Sequence, residues 1–421
     1  MGLFQKKKAA IERAIIESTH EIVCLYCFRN FDHNEVVFRA ADIIDEDGYR
    51  AEPDRLLEAH RARFNMSPMG AIAPVLNPDD YSEKNKGYLR GILTTLYDRY
   101  NNPTSTRLCP YCHNDLLPSA GLSPSTVISI VGGSKVGKSS YFASLVHTLK
   151  TVTSHNFDMF CTPINNETGR KFKIKYEEPF MQNGYFPSHT PGEVYQEPYV
   201  FTFSFADETK PELNIAFIDI ADEGATGSAN MDIYAAYMRN SSAMIFLVDP
   251  LQFRDVSHKI HILNNINFNP SMIASDTTQV LVSLVENYIY KQANGTCSIA
   301  TAAVLTKTDL LVALGHSGEY IHPRSNLFAR YSHHNIFNLS QFDAINYEVD
   351  AFLHMVDPNL RNALKRRFAN LGFFGVSALG AHPELISKQL ASFAPARVDE
   401  PLLWILYKLG YISGRYDEVR T

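Results

Sequence analysis

One eight-residue run, Gly132-Gly133-Ser134-Lys135-Val136-Gly137-Lys138-Ser139, narrows the folds open to this chain more than any other feature. Its glycines let the backbone curl until successive amides point inward, a geometry suited to phosphate oxygens. An apolar β-type run, Thr126-Val127-Ile128-Ser129-Ile130-Val131, leads into it, and Ser140 to Leu149 reads as the helix it opens. Strand, glycine loop and helix in that order set a helix N-terminus against a bound anion. The expected roles are specific. Gly132, Gly133, Ser134, Lys135, Val136, Gly137 and Ser140 form the cradle, Lys138 reaches the β- and γ-phosphates, and the Ser139 hydroxyl ligates Mg2+.

Further strand-like runs follow, each ending in a chemical group, where open α/β sheets bind ligands. Asn214 to Ile220 carries Asp219 near its carboxyl end, and such an acid holds Mg2+ through water. Ala243 to Val248 is stopped by Asp249-Pro250, Ala302 to Leu305 leads into Thr306-Lys307-Thr308-Asp309, and Phe373 to Val376 leads into Ser377-Ala378-Leu379. The Thr306, Lys307 and Asp309 spacing points to guanine. A carboxylate accepts two parallel hydrogen bonds from guanine's N1–H and exocyclic amine, whereas adenine has an acceptor at that ring nitrogen and would leave it unpaired. Lys307 can lay its stem over the purine while the Ala378 amide meets the guanine oxygen.

These motifs, GGSKVGKS, DIADE, TKTD and SAL in order, make the chain resemble the Ras-like GTPases of the translation-factor-related (TRAFAC) class. YFASL after the loop, FPSHTPG at 186–192, FLVDP at 246–250 and RVDEPLLWILYKLG at 397–410 make it most similar to the bacterial double-GTPase type of conflict and defence loci. The resemblance covers roughly residues 123–421 and implies a GTP-hydrolysing switch acting on a protein partner, an effector or an activating protein. It further implies a switch threonine ahead of the antiparallel strand Tyr199 to Phe205, for which Thr190 is the candidate second Mg2+ hydroxyl. Two departures bear on catalysis: Asp222 stands where a glycine amide usually meets the γ-phosphate, and Glu223 stands where many relatives carry a water-orienting glutamine. Slow unaided hydrolysis is expected, and a hydrolysis-deficient, nucleotide-dependent scaffold stays open. Lys135 stands where potassium-dependent relatives keep an asparagine, so its ammonium either neutralises phosphate charge or points to solvent. Arg170, in the basic stretch with Lys171, Lys173 and Lys175, either acts in cis or lies on a solvated face.

Ahead of the nucleotide motifs, Cys24-Leu25-Tyr26-Cys27 and Cys109-Pro110-Tyr111-Cys112 supply four thiolates for one tetrahedral Zn2+. A zinc ribbon expects the strand Asn34 to Arg39, and the long spacer implies an insertion, with a helix at Pro53 to Phe64 and another near Gly87 to Tyr100. Neither pair lies at a redox-type βα turn. Cys161 and Cys297 read as core thiols, and the thiol usage indicates a reducing, cytoplasmic setting. Net charge is −6 over 421 residues, so no basic field for nucleic acid arises, and no apolar run reaches membrane-span length. Lys6 to Glu21 reads as a short amphipathic helix. The expected architecture is α/β: a zinc-ribbon domain with a helical insertion over 1–120, then a P-loop GTPase domain over 121–421. Its three-layer, mostly parallel sheet carries insertions near 160–185 and 310–370. The second insertion, with His316, His322, His333 and His334, reads as a packed helical lid, and the final helix, Glu400 to Leu409, as core.

Overall fold

Alternation within Val127-Ile128-Ser129-Ile130-Val131 sets the layering, because successive residues of a strand face opposite sides of its sheet. Val127 and Val131 enter one buried cluster and Ile128 and Ile130 another, so this strand is covered on both faces. The computed structural model describes residues 21–41, 49–64, 66–133, 135–182, 198–207, 210, 212–217, 237–264, 277–278, 281, 295–329, 331, 333–380 and 393–417.

Seven strands form the main sheet: β1 (Ser125–Gly132), β2 (Met159–Pro163), β3 (Tyr199–Phe205), β4 (Leu213–Phe217), β5 (Ala243–Val248), β6 (Cys297–Leu305) and β7 (Phe368–Gly375). Their spatial order is β2-β3-β4-β1-β5-β6-β7. Strands β4, β1, β5, β6 and β7 run parallel, while β3 pairs antiparallel with both β4 and β2. β1 is central, and the chain leaves it toward both edges, which opens a crevice at its carboxyl end. The fold is therefore α/β with a mostly parallel sheet, as expected. One strand was not expected: Met159–Pro163 adds an antiparallel edge just ahead of the basic stretch, turning Met159 and Cys161 into the core.

Helices cover the two faces. Helix α1 (Lys138–Thr148) and a π-helical turn at Leu149–Thr153 pack Tyr141, Phe142, Leu145 and Leu149 on one side. The other face is covered by α2 (Arg254–Asn264), α3 (Leu339–Val356) and α4 (Pro358–Arg367) through Val256, Ile260, Val349, Phe352 and Leu364. The last helix, α5 (Glu400–Lys408), returns to the α1 side with Leu402, Leu403, Trp404 and Leu406 buried, matching its leucine spacing. Among the described residues, no helix is long and apolar enough to cross a membrane.

The N-terminal segment holds small antiparallel sheets around a third core. Strands Glu21–Val23 and Asn30–Asp32 pair across the first cysteine knuckle, and Val37–Arg39 lies between Val75–Leu76 and Arg107–Leu108. The first expected helix is present as Arg55–Arg63, its amides at Leu56 and Leu57 capped by Asp54. The second is not. Lys86–Leu89 and Ile92–Tyr97 form a β-hairpin instead. Arg90 and Gly91 take φ of 51° and 83°, which is the two-residue turn that matches strand twist, and β-branched Thr94 and Thr95 favour the strand. The stretch Lys6 to Glu21 lies outside the described residues up to Thr19-His20, and only Glu21 enters the hairpin.

Candidate guanine-nucleotide and zinc sites

The phosphate loop emerges from β1 at the sheet's switch point. A Cβ on Gly132 would meet the Leu247 carbonyl oxygen and Val136 Cγ1 at 2.9 Å, so the loop's first turn requires glycine there. Gly137 takes φ 95° as N-cap of α1, and Lys135 also sits in the left-handed region at φ 62°. That curl is what turns consecutive amides inward. Lys138 is buried, and its Nζ donates to the carbonyl oxygens of Gly132 (3.3 Å) and Gly133 (3.0 Å). Its charge is thus held inside the loop, at the N-terminus of α1, where helix amides lack intrahelical acceptors.

The base-reading turn sits beside this loop. Thr306 follows β6, and its hydroxyl donates toward the carbonyls of Val136 and Val248, each at 3.2 Å. Lys307 turns the chain with φ 54° and sends Nζ back to the Lys135 carbonyl at 3.4 Å. One lysine thereby bridges the two motifs. Asp309 accepts a 2.5 Å hydrogen bond from the Ser377 hydroxyl, joining TKTD to SAL across 68 residues of sequence. Ser377 in turn exchanges backbone hydrogen bonds with Ala396 and receives the Gly380 amide at 2.9 Å. Ser144 of α1 donates to the Ala378 carbonyl at 2.6 Å, and Leu379 packs on the α1-side core.

Behind this turn lies a polar layer that motif reading passed over. Asp249, wholly buried after β5, places Oδ2 2.5 Å from Lys307 Nζ and caps the Leu251 amide with Oδ1 at 2.9 Å. Burial pushes its carboxyl up, and the Lys307 ammonium opposes that rise. The available signal was an acid between a buried strand and a proline. A second group follows Ala396: Arg397 makes a paired contact with Glu400 at 2.8 and 2.7 Å, and His333 Nε2 lies 3.2 Å from the same carboxylate. His333 Nδ1 also accepts the Asn338 amide, so both ring nitrogens are engaged within the protein.

Four expected residues, Ser134, Thr190, Asp219 and Glu223, lie outside the described residues, as does Asp222. Of the expected Mg2+ ligands, Ser139 alone is described, half-buried in the first turn of α1. The Lys135 residue is exposed, and Arg170 is exposed on the helix Asn166–Phe172. The donor set fits a guanine nucleotide: a lysine and curled amides for the phosphates, a fixed lysine stem for the ring, and a carboxylate for the base edge.

The cysteines converge from both ends of the N-terminal segment. Cys24 Sγ lies 3.7 Å from Cys112 Sγ, Cys27 Sγ lies 3.7 Å from Cys109 Sγ, and all four sulfurs fall within 4.8 Å of one another. A tetrahedral zinc with Zn–S near 2.3 Å needs S···S of about 3.8 Å, so the quartet fits that ion. Nitrogen donors already face the sulfurs: the Cys27 amide to Cys24 (3.5 Å), the Tyr111 amide to Cys109 (3.4 Å) and Asn114 Nδ2 to Cys112 (3.3 Å). Burial and the neighbouring sulfurs push the Cys24 thiol well above its ordinary range, a cost that a dication reverses. His113 is no ligand, since Nδ1 faces both Asp54 oxygens at 2.8 and 2.9 Å. Burial alone would raise the Asp54 carboxyl, but the Leu57 amide, His113 and Arg39 outweigh it and hold it low. Among the described residues this is the one group of potential metal ligands, and Cys161 and Cys297 are buried core thiols.

A family profile described as Double-GTPase 2 matches residues 126–356. Among solved structures the chain is similar to the S. cerevisiae Ski7 GTPase-like domain bound to GTP, at 12% identity over 69% of this chain and 51% of that one, with a TM-score of 0.30. The same domain bound to GDP and inorganic phosphate is similar at 13% identity, 69% and 51% coverage, and a TM-score of 0.31. The chain thus spans about half the length of those structures. No curated protein matches it.

Proposed function

The chain belongs to the Double-GTPase 2 family, and from that premise we propose that it hydrolyses GTP slowly and acts as a switch on a protein partner. GTP binding itself follows from the family and its fold. The observation that carries the reading is the Lys307 bridge: its Nζ contacts the phosphate loop at Lys135 O while Asp309, two residues on, is fixed by Ser377. The parts that grip the tail and read the base are thereby one connected unit.

Lys138 stabilises charge on the β- and γ-phosphates, and the amides of the loop and of α1 donate to the remaining phosphate oxygens. Ser139, Thr190 and Asp219 would hold Mg2+, which when bound would neutralise phosphate charge. Glu223 orients the attacking water, and Lys135 adds a positive charge beside the phosphates. Segments bearing Thr190 and Asp222–Gly224 respond to the γ-phosphate, which changes affinity for the partner. The four cysteines hold a structural Zn2+. The family resemblance supports a defence or conflict setting, and the thiol usage supports a cytoplasmic one.

Asp222 and Glu223 favour one alternative, a hydrolysis-deficient scaffold in which bound guanine nucleotide shapes the chain and the zinc ribbon docks a partner. Phosphate release by purified protein in saturating GTP separates the two. Release that Lys138→Ala abolishes supports the switch, while none in either protein supports the scaffold. Lys135→Ala, assayed with and without potassium, tests the added charge: an unchanged turnover number removes that role.

A further inference from the structure

We propose that Asp249 is a positioning residue for nucleotide binding, holding the Lys307 stem as the platform on which the purine lies. The inference rests on the guanine-nucleotide reading and adds to it a residue outside the four recognised motifs.

Lys307 has two constraints on its direction. Its backbone is in the left-handed region, at φ 54°, which swings the side chain back over the phosphate loop. Its ammonium then meets one neutral acceptor, the Lys135 carbonyl at 3.4 Å, and one carboxylate, Asp249 at 2.5 Å. The carboxylate is the stronger and shorter of the two, so it sets where the ammonium rests. Asp249 cannot follow the lysine if the lysine moves. Its side chain is fully buried, and its other oxygen is committed to the Leu251 amide at 2.9 Å, at the start of the 3-10 turn Pro250–Gln252. That turn is anchored by buried Leu251 directly after β5, the strand next to β1. The carboxylate is therefore fixed to the sheet, and the lysine is fixed to the carboxylate. With both ends held, the aliphatic stem between them is half-buried and restricted in direction, which suits it to serve as a platform.

The chemistry predicts which quantities move. A stem that is not held must be ordered by the nucleotide itself, which weakens affinity for di- and triphosphate alike. Base choice stays with Asp309. Asp249→Asn keeps an oxygen for the Leu251 amide and removes the charge facing Lys307.

The test uses the full chain with fluorescent GDP and a non-hydrolysable GTP analogue. Asp249→Asn is expected to raise both dissociation constants about tenfold, through faster release, with the preference for guanine over xanthine nucleotide unchanged. In a Lys307→Met background the same substitution is expected to cost less than twofold. Asp249→Ser, which also keeps a capping oxygen, reports the same loss should the asparagine variant fail to fold. Wild-type affinity in Asp249→Asn overturns the inference, as does a tenfold loss that persists undiminished without the lysine ammonium, because that marks general loosening. A wild-type chain that binds no GDP overturns the guanine reading and this inference together, whereas wild-type binding with an indifferent variant overturns this inference alone.

Discussion

Phe28, just past the first cysteine knuckle, packs its ring on Tyr237 with centroids 5.0 Å apart, and both side chains are wholly buried. The Tyr237 hydroxyl continues the contact by donating to the Ile128 carbonyl at 2.7 Å, inside the strand that feeds the phosphate loop. Leu25 and Phe28 belong to the same core as Val127, Val131 and Phe246. The knuckle is therefore built into the sheet's packing rather than tethered beside it. Removing the ring leaves a cavity at that junction. Phe28→Ala is expected to cost about 3–5 kcal/mol in urea unfolding. A loss below about 1 kcal/mol would mean that the junction is not packed as described.

Shared packing also fixes what the metal does. Purified chain is expected to hold one zinc, measured by mass spectrometry of metal content, and Cys112→Ser is expected to release it. Because the knuckle and β1 share a core, chelation should lower the melting of the whole chain in a single transition. Two transitions, with the chelator moving one alone, would show that the cysteine segment melts independently. Full zinc retention in Cys112→Ser would contradict the four-thiolate site.

Stability should depend on pH through Asp399. This wholly buried carboxyl is bonded by Thr153 at 2.6 Å and by the Tyr331 hydroxyl, and burial pushes it up to about 6 from an ordinary 3.8. The folded state then binds the proton more tightly than the unfolded state. Its contribution is fully present below pH 4 and is lost as pH rises through 6. The difference in unfolding free energy between wild type and Asp399→Asn should fall over that window by up to about 3 kcal/mol. A difference that stays level from pH 4 to 7 would place the Asp399 titration elsewhere.

The parts of this molecule that chemistry forces into local sequence are legible in the sequence itself. A phosphate loop needs Gly132 and Gly137 where the backbone is crowded or left-handed, so the motif carries its own structural reason. Buried parallel strands need mainly apolar runs: β5 is apolar throughout, and β1 and β6 are interrupted only by serine and threonine. What stayed hidden depends on partners distant in sequence. Asp249 carries no local sign of its role, which comes from Lys307, 58 residues on. Arg397 precedes a recognised helix and Glu400 opens it, yet their meaning comes from His333 and from the Ser377–Ala396 bridge. The Lys86–Tyr97 hairpin stands where a helix near Gly87 to Tyr100 is expected: its apolar residues alternate only briefly, and the deciding signal is the Arg90-Gly91 turn. Strand β2 escaped for a related reason: Met159-Phe160-Cys161 is short, and an edge strand needs one apolar face only.

The central claim is that Asp309, steadied by Ser377, selects guanine while the Lys138 loop binds the phosphates. Calorimetric titration of the purified chain with GDP and ADP tests it most directly, with Asp309→Asn titrated against GDP and xanthosine diphosphate beside it. Wild type is expected to prefer GDP by roughly a hundredfold or more, because adenine leaves the carboxylate unpaired. The asparagine variant should shift toward xanthine, whose carbonyl accepts from the new amide. Equal or tighter binding of ADP by wild type would contradict the account.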